Sequence, residues 1–249
     1  MNISDRIGLD LGTLVPYSAI PLPYVSMAIC ASITRAAGYA FWQARPLRGV
    51  SWSAIKKTEI PVRSIEPMWD YNPRNLKLWL RYLPFRRGLD AANCFIRLAA
   101  AFPMAWQIND YLSAVVLNEI NLYDRRDPAM LATAGILGQQ YALDLWHIRQ
   151  LTKAGEMVSA DNSAVQTLIL AMLPTTKIVH VQTRSKVELR RFLRGETTEL
   201  GKLLREVAKA GFEGFYVVEI PPLLAGWTTP QSYAKGLRKF RESILTYFP

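Results

Sequence analysis

The chain has few residues whose types suit catalysis. It contains two histidines, His147 and His180, and two cysteines, Cys30 and Cys94. Asp144 lies three residues before His147 and could share a helical face with it, which is more often a packing contact than a catalytic pair. Neither histidine has further ligand-type residues at the spacing of a metal-binding motif. The sequence therefore predicts no metal site, no cofactor and no catalytic residue.

Positive charge is the clearest functional signal in the sequence. The formal net charge is +10, and basic residues concentrate in residues 35–97 and 177–249. A predicted helix over residues 185–194 carries a basic residue every four positions, which gives a cationic ridge about 12 Å long at about 1.5 Å per residue. Such a ridge can follow a row of phosphates. The predicted polyanion-binding residues are Arg184, Lys186, Arg190, Arg191, Arg194, Lys235, Arg238 and Lys239.

The segment from Gly8 to Thr13, Gly-Leu-Asp-Leu-Gly-Thr, resembles the first phosphate loop of the actin and sugar-kinase ATPases. That resemblance implies a turn that holds ATP phosphates and a metal. The residues around it disagree, because Asp5 and Arg6 fall in the preceding strand, Pro16 falls in the following one, and no second phosphate loop exists. An ordinary P-loop and a dinucleotide fingerprint are also missing. The segment is therefore predicted to be an N-terminal turn with two glycines.

The predicted elements divide the chain into a helical part and a mixed part. Residues 1–154 are expected to form several helices, among them one over residues 89–102 and a long one from Pro128 towards Ala154. Residues 176–249 are expected to form a βααβα unit, in which helices connect two parallel strands. Any boundary falls within residues 155–176, unless the chain is one continuous domain. The predicted fold is a mainly helical α/β protein of α+β type, with a small, partly parallel sheet in its C-terminal half.

An uncharged segment, residues 11–34, is long enough to span a bilayer. Pro16, Pro21 and Pro23 interrupt its first half, so a buried N-terminal arm is predicted instead.

The two cysteines lie far apart in apolar sequence, which is typical of core thiols. They favour a reducing intracellular compartment or a virus particle.

These features favour a non-catalytic protein. Enzymatic activity is uncertain, and the sequence argues against it more than for it. The chain is predicted to be a basic subunit of a larger assembly, such as a virion or nucleoprotein particle. Its aromatic and apolar surface would contact other protein subunits, and its cationic ridge would contact nucleic acid or another polyanion.

Two alternatives remain open. Residues 120–249 loosely resemble nucleotide kinases of the thymidylate-kinase type, which would make Asp124 and Arg125 a substrate loop and the arginines at 190, 191 and 194 an anion clamp. The resemblance implies a nucleotide- or phosphate-handling transferase, although this chain lacks the P-loop. The second alternative is a membrane-associated protein anchored by residues 11–34.

Overall fold

The computed structural model describes residues 1–14, 26–44, 52–65, 95–99, 115–119, 140–152, 154–220 and 222–248. Its strands all run parallel, each paired with the next, and the last strand pairs with the first, so the sheet closes into an eight-stranded barrel. The strands are β1 (Ile7–Asp10), β2 (Trp42–Ala44), β3 (Val62–Ile65), β4 (Phe95–Ala99), β5 (Val115–Glu119), β6 (Gln140–Asp144), β7 (Thr176–Gln182) and β8 (Phe215–Glu219).

Within the described residues, helices connect β1 to β2, β2 to β3, β6 to β7 and β7 to β8, and supply the crossovers that parallel pairing requires. The caps of two of them are visible in the sequence: the side chain of Ser185 accepts from the Glu188 N–H, and that of Thr198 accepts from the Gly201 N–H. The helices in the described residues are α1 (Met27–Ala37), α2 (Trp52–Lys56), α3 (Ser163–Met172), α4 (Lys186–Leu193), α5 (Glu199–Lys209), α6 (Pro222–Ala225) and α7 (Pro230–Leu245).

Two buried apolar clusters define the inside and the outside of the barrel. The larger one lies between strands and helices, and includes Leu9, Trp42 and Tyr141. The smaller one contains Phe41, just before β2, with Ala142, Ile178 and Val217 from β6, β7 and β8, and it fills the barrel interior. Strand side chains alternate between the two faces, so the residues two positions after each of these four face the interior as well. They are Gln43, Asp144, His180 and Glu219, and all four are polar.

The first and last parts of the chain are fastened together where the barrel closes. Arg6 donates to the carbonyl oxygens of Phe212 and Gly214, the second at 2.8 Å. Just beyond the carboxyl end of β1, the Ile220 N–H donates to Thr13 Oγ1 at 3.0 Å. These contacts hold β1 beside β8 at both ends.

The predicted fold class is wrong, because a helical N-terminal half with a small C-terminal sheet is not what the chain forms. The expected long helix from Pro128 is contradicted by β6, and the expected helix over residues 89–102 is contradicted by β4. The sequence spacing that suggested a helical stripe also fits short buried strands, which apolar periodicity cannot separate from helix. The C-terminal elements are confirmed: β7, α4, α5, β8 and α7 all form where they were predicted, with β7 and β8 parallel.

The uncharged arm is only partly within the described residues, since residues 15–25 lie outside them. Residues 11–14 are buried, and α1 buries Cys30, Ile33 and Ala37 against the rest of the protein. Among the described residues, no helix combines the length and hydropathy needed to cross a membrane.

Candidate metal centre

Three ligand-type side chains meet at the carboxyl ends of neighbouring strands. Asp144 and Glu219 are the last residues of β6 and β8, and His180 lies near the end of β7, in register with Asp144. In closed parallel barrels the catalytic groups come from the carboxyl ends of the strands and the loops that follow. The position of these three side chains is therefore that of an active site.

The three side chains are close enough to share one cation. One ligand atom of each lies within 4.8 Å of the others. His180 Nδ1 is 3.1 Å from Glu219 Oε2 and 4.0 Å from Asp144 Oδ2. The side chains of His180 and Asp144 are 0% and 1% exposed, and that of Glu219 is 12% exposed. Buried carboxylates need a partner charge, and two carboxylates with one imidazole form a ligand set for a divalent cation.

The carboxylate of Asp144 is held by its surroundings. Its Oδ1 accepts from the backbone N–H groups of Trp146, at 2.8 Å, and His147, at 2.9 Å. Its Oδ2 accepts from Gln182 Nε2. Three donors on one carboxylate fix its orientation. The predicted helical pairing of Asp144 with His147 is wrong, because Asp144 ends a strand and accepts from the backbone N–H of His147.

A buried acceptor beside the cluster supports the fit of a cation. Gln182 is 2% exposed, and its Oε1 has no hydrogen-bond partner among the described residues. Leaving such an atom unsatisfied costs about 1–3 kcal/mol. A hydrated cation, or a ligand hydroxyl, would supply the missing donor. The oxygen-rich donor set suits Mg²⁺ or Mn²⁺ better than a metal that prefers sulfur.

The sequence does not reveal this cluster through motif spacing, because its three ligands do not lie at short spacings along the chain. Each ligand comes from a different strand, and the barrel brings them together. The available signal was an apolar strand that ends in a polar residue, which occurs in the segments Tyr-Ala-Leu-Asp, Ile-Val-His-Val-Gln and Tyr-Val-Val-Glu. Three such strand ends in one α/β chain would have marked a shared site.

The predicted cationic ridge does form on the surface. Lys186 and Arg190 are exposed on α4, and Arg184 is exposed just before it. Arg191 and Arg194 both pair with Glu196, at 3.0 and 2.6 Å. Glu196 therefore neutralises part of the positive charge of the ridge.

The basic residues of α7 lie on a neighbouring helix. Lys235, Arg238 and Lys239 are exposed, and Arg238 donates twice to the carbonyl oxygen of Ala36. The two helices contact each other through the rings of Phe192 and Phe240, whose centroids are 4.9 Å apart. The structure thus places both basic groups on adjacent helices, and polyanion binding by them stays a prediction.

Comparison of the sequence with known proteins gives little. No protein-family model matches the chain, and no curated protein matches it.

Comparison of the structure with solved structures gives clear likenesses. A xylose isomerase domain containing protein from Salmonella typhimurium superposes with a TM-score of 0.62 at 13% identity, over 98% of this chain and 99% of that one. The fold is that of a TIM barrel. A protein of this description from Mycobacterium smegmatis, solved in complex with magnesium, gives 0.60 at 11% identity, with 100% of both chains covered. An L-ribulose 3-epimerase gives 0.57 at 15% identity, over 97% and 95%.

The barrel fold corrects the functional interpretation drawn from charge. The prediction of a non-catalytic, nucleic-acid-binding subunit of a virion or nucleoprotein particle is wrong. The chain forms a TIM barrel, and acidic and imidazole side chains lie at the carboxyl ends of its strands. The thymidylate-kinase-like alternative fails for the same reason, since its βααβα unit is one part of a closed barrel. The net charge of +10 describes the surface of this barrel and not its chemistry.

Proposed function

We propose that this protein is a divalent-metal-dependent enzyme that isomerises or epimerises a sugar-like polyhydroxy carbonyl compound. The observation that carries the proposal is the convergence of Asp144, His180 and Glu219 at the carboxyl ends of β6, β7 and β8. Two solved structures with this fold, an L-ribulose 3-epimerase and a barrel in complex with magnesium, support the same class of chemistry.

The side chains of this cluster would hold Mg²⁺ or Mn²⁺ through two carboxylates and one imidazole nitrogen. A bound divalent cation acts as a Lewis acid that polarises carbonyl and hydroxyl oxygens of a substrate. The apolar interior layer below the site, with Ile178 and Val217, closes the barrel to water from the opposite side. A substrate therefore enters from the carboxyl ends of the strands.

Glu219 is the proton-transfer group in this proposal. Asp144 accepts from three donors and is held in place, whereas Glu219 is the most exposed of the three side chains, at 12%. Its carboxylate would remove a proton from the carbon next to the substrate carbonyl. The electrons of that C–H bond would form a C=C bond, while the carbonyl π electrons move to the carbonyl oxygen, which takes up a proton to give an enediol. Return of the proton from Glu219 to the neighbouring carbon, with loss of the hydroxyl proton there to restore a carbonyl, gives the isomer, and delivery of a solvent proton to the opposite face of the original carbon gives the epimer.

Metal binding is tested first, by calorimetric titration of the purified protein with MnCl₂ and MgCl₂. One site per chain is expected, and at a metal concentration of about 100 Kd the protein should gain about 2.7 kcal/mol of unfolding free energy, which EDTA should remove. His180→Ala should abolish both effects. Asp161→Asn is the matched control, because this surface carboxylate is 65% exposed and pairs with Lys202 outside the barrel. Absence of binding below about 1 mM metal by the folded protein refutes the centre.

Turnover is tested by proton NMR in D₂O with a panel of ketopentoses, ketohexoses and their phosphate esters. Conversion should be accompanied by exchange of the hydrogen next to the carbonyl for deuterium. Glu219→Gln should abolish that exchange while the protein remains folded. A folded, metal-loaded protein that exchanges no hydrogen with any member of the panel refutes the substrate class and leaves the metal centre standing.

A further inference from the structure

A chain of buried hydrogen bonds leads from β1 across the barrel to His180. Asp10, at the end of β1, is fully buried and lies in the segment that resembles a phosphate loop. Its Oδ1 accepts from the Gly12 N–H at 2.6 Å, and its Oδ2 accepts from Gln43 Nε2 at 2.7 Å. A carboxylate can only accept hydrogen bonds. The amide of Gln43, which is also fully buried, must therefore turn its NH₂ group towards Asp10.

The orientation of this amide determines what its oxygen can do. Gln43 Oε1 faces Ser64 Oγ at 3.0 Å and His180 Nε2 at 3.0 Å. A carbonyl oxygen only accepts, so both neighbours must donate to it. His180 consequently carries a proton on Nε2. Its Nδ1 lies 3.1 Å from Glu219 Oε2 and 4.0 Å from Asp144 Oδ2. This nitrogen therefore either donates a second proton to Glu219 or, without that proton, presents its lone pair to a cation held by the two carboxylates.

We propose that Asp10 and Gln43 are positioning residues that set the tautomer of His180, so that Nδ1 is available as a cation ligand. The inference rests on the proposed metal centre, and it extends that centre to residues that touch neither metal nor substrate. A lone pair aimed at two carboxylates is an unfavourable arrangement for an empty site and a favourable one around a cation. The partner of the distal nitrogen of a metal-binding histidine fixes the tautomer and the orientation of the ring.

The variant Asp10→Asn tests the chain of bonds with almost no change in side-chain shape. An asparagine amide would offer a donor where Asp10 Oδ2 now accepts, so the amide of Gln43 should rotate to present its oxygen to residue 10. Its NH₂ group would then face His180, which should move its proton to Nδ1. Ser64→Ala is the matched control, because it removes one donor to Gln43 Oε1 and leaves the direction of the other bonds unchanged.

Ring-nitrogen NMR of the metal-free protein reads the tautomer directly. Only two histidines are present, so spectra of the wild type and of His147→Gln assign both rings. The wild type and Ser64→Ala should carry the proton on Nε2, and Asp10→Asn should carry it on Nδ1. The Kd for Mn²⁺ should rise by about 10–100-fold in Asp10→Asn and by less than about threefold in Ser64→Ala.

The outcomes separate this inference from the proposed function. A wild-type ring protonated on Nδ1 alone, or an Asp10→Asn protein that keeps its proton on Nε2, overturns the positioning role whether or not metal binds. A tautomer that switches in Asp10→Asn, in a protein whose wild type binds no Mn²⁺, supports the positioning role and refutes the metal centre. If Asp10→Asn does not fold, Gln43→Met takes its place. Loss of the Gln43 acceptor at Nε2 should then give a mixture of tautomers, and a ring that stays on Nε2 overturns the inference.

Discussion

Replacement of Gly8 by alanine should destabilise the barrel from the inside. Gly8 lies in β1, between the outward-facing Ile7 and Leu9. A Cβ at this position would be 2.2 Å from Cε2 of Phe41 and 2.5 Å from its Cδ2 and Cζ, where ordinary contact is 3.4–4 Å. The ring of Phe41 is 1% exposed and packs edge-on against Phe215 at 5.2 Å, so it has no open space into which to move.

The magnitude follows from two opposing effects. Extra volume in a packed interior costs about 1–3 kcal/mol, and the reduced freedom of the unfolded chain returns about 0.4–1 kcal/mol. A net loss of about 1–2 kcal/mol is expected, or a fall in Tm of roughly 2–8 °C for a chain of this size. Chemical denaturation of Gly8→Ala, monitored by circular dichroism, measures it.

A double-mutant cycle with Phe41→Leu shows whether the ring is the cause. The smaller side chain should accommodate the new methyl group, so Gly8→Ala should cost at least about 1 kcal/mol less in the Phe41→Leu background. Gly195→Ala is the matched control: it has a φ of +74° and no atom within 4 Å of the added Cβ, so its cost is backbone strain that Phe41→Leu cannot relieve. Equal costs of Gly8→Ala in both backgrounds would refute the steric explanation.

Three further predictions concern hydrogen bonding and pH. Trp42→Phe removes the bond from the buried indole to Thr34 Oγ1 at 2.8 Å, and should lower the unfolding free energy by about 1–2 kcal/mol in denaturant titrations. Burial raises the pKa of Cys30 to about 12, so a variant in which Cys30 is the sole cysteine should resist alkylation at pH 8 while it is folded. The protonated Cys30 thiol contributes fully to stability below its unfolded pKa near 8.5, and that contribution is lost as pH rises towards 12. Burial acts to raise the pKa of Glu199, but the hydrogen bond from the Ala160 N–H and nearby cations hold it below its usual value. The Tm deficit of Glu199→Gln should therefore be present above about pH 4.3 and vanish as pH falls through the lower native pKa.

Local signals predicted the elements that depend on local physics. The helix from Glu199 to Lys209 has a threonine cap at its start and Gly211 after its end, and those residues determine where it begins and stops. The β-branched residues of β7 between Lys177 and Gln182 likewise favour a strand in almost any context. These elements were predicted correctly because few other conformations satisfy the same residues.

The remaining strands depend on tertiary structure that no local signal contains. β6 has no β-branched residue, and only its place between β5 and β7 makes it a strand. The candidate site depends on tertiary structure even more. Gln43 and His180 are 137 positions apart, and neither has any reason to be singled out until the barrel brings them within hydrogen-bond distance. The charged surface was visible in the sequence and misled the functional interpretation, because surface charge carries little information about a buried centre.

The pairing of the first strand with the last also has a consequence for synthesis of the protein. β1 cannot pair with its neighbour β8 until Glu219 has left the ribosome. At roughly 5–20 residues per second, that is on the order of 10–40 s after Asp10 and Gln43 emerged. Throughout that interval the nascent chain exposes an open sheet edge and the polar residues of an unfinished interior. The centre is therefore assembled in the last moments of translation, and a slow codon before β8 would prolong the most vulnerable state of the chain.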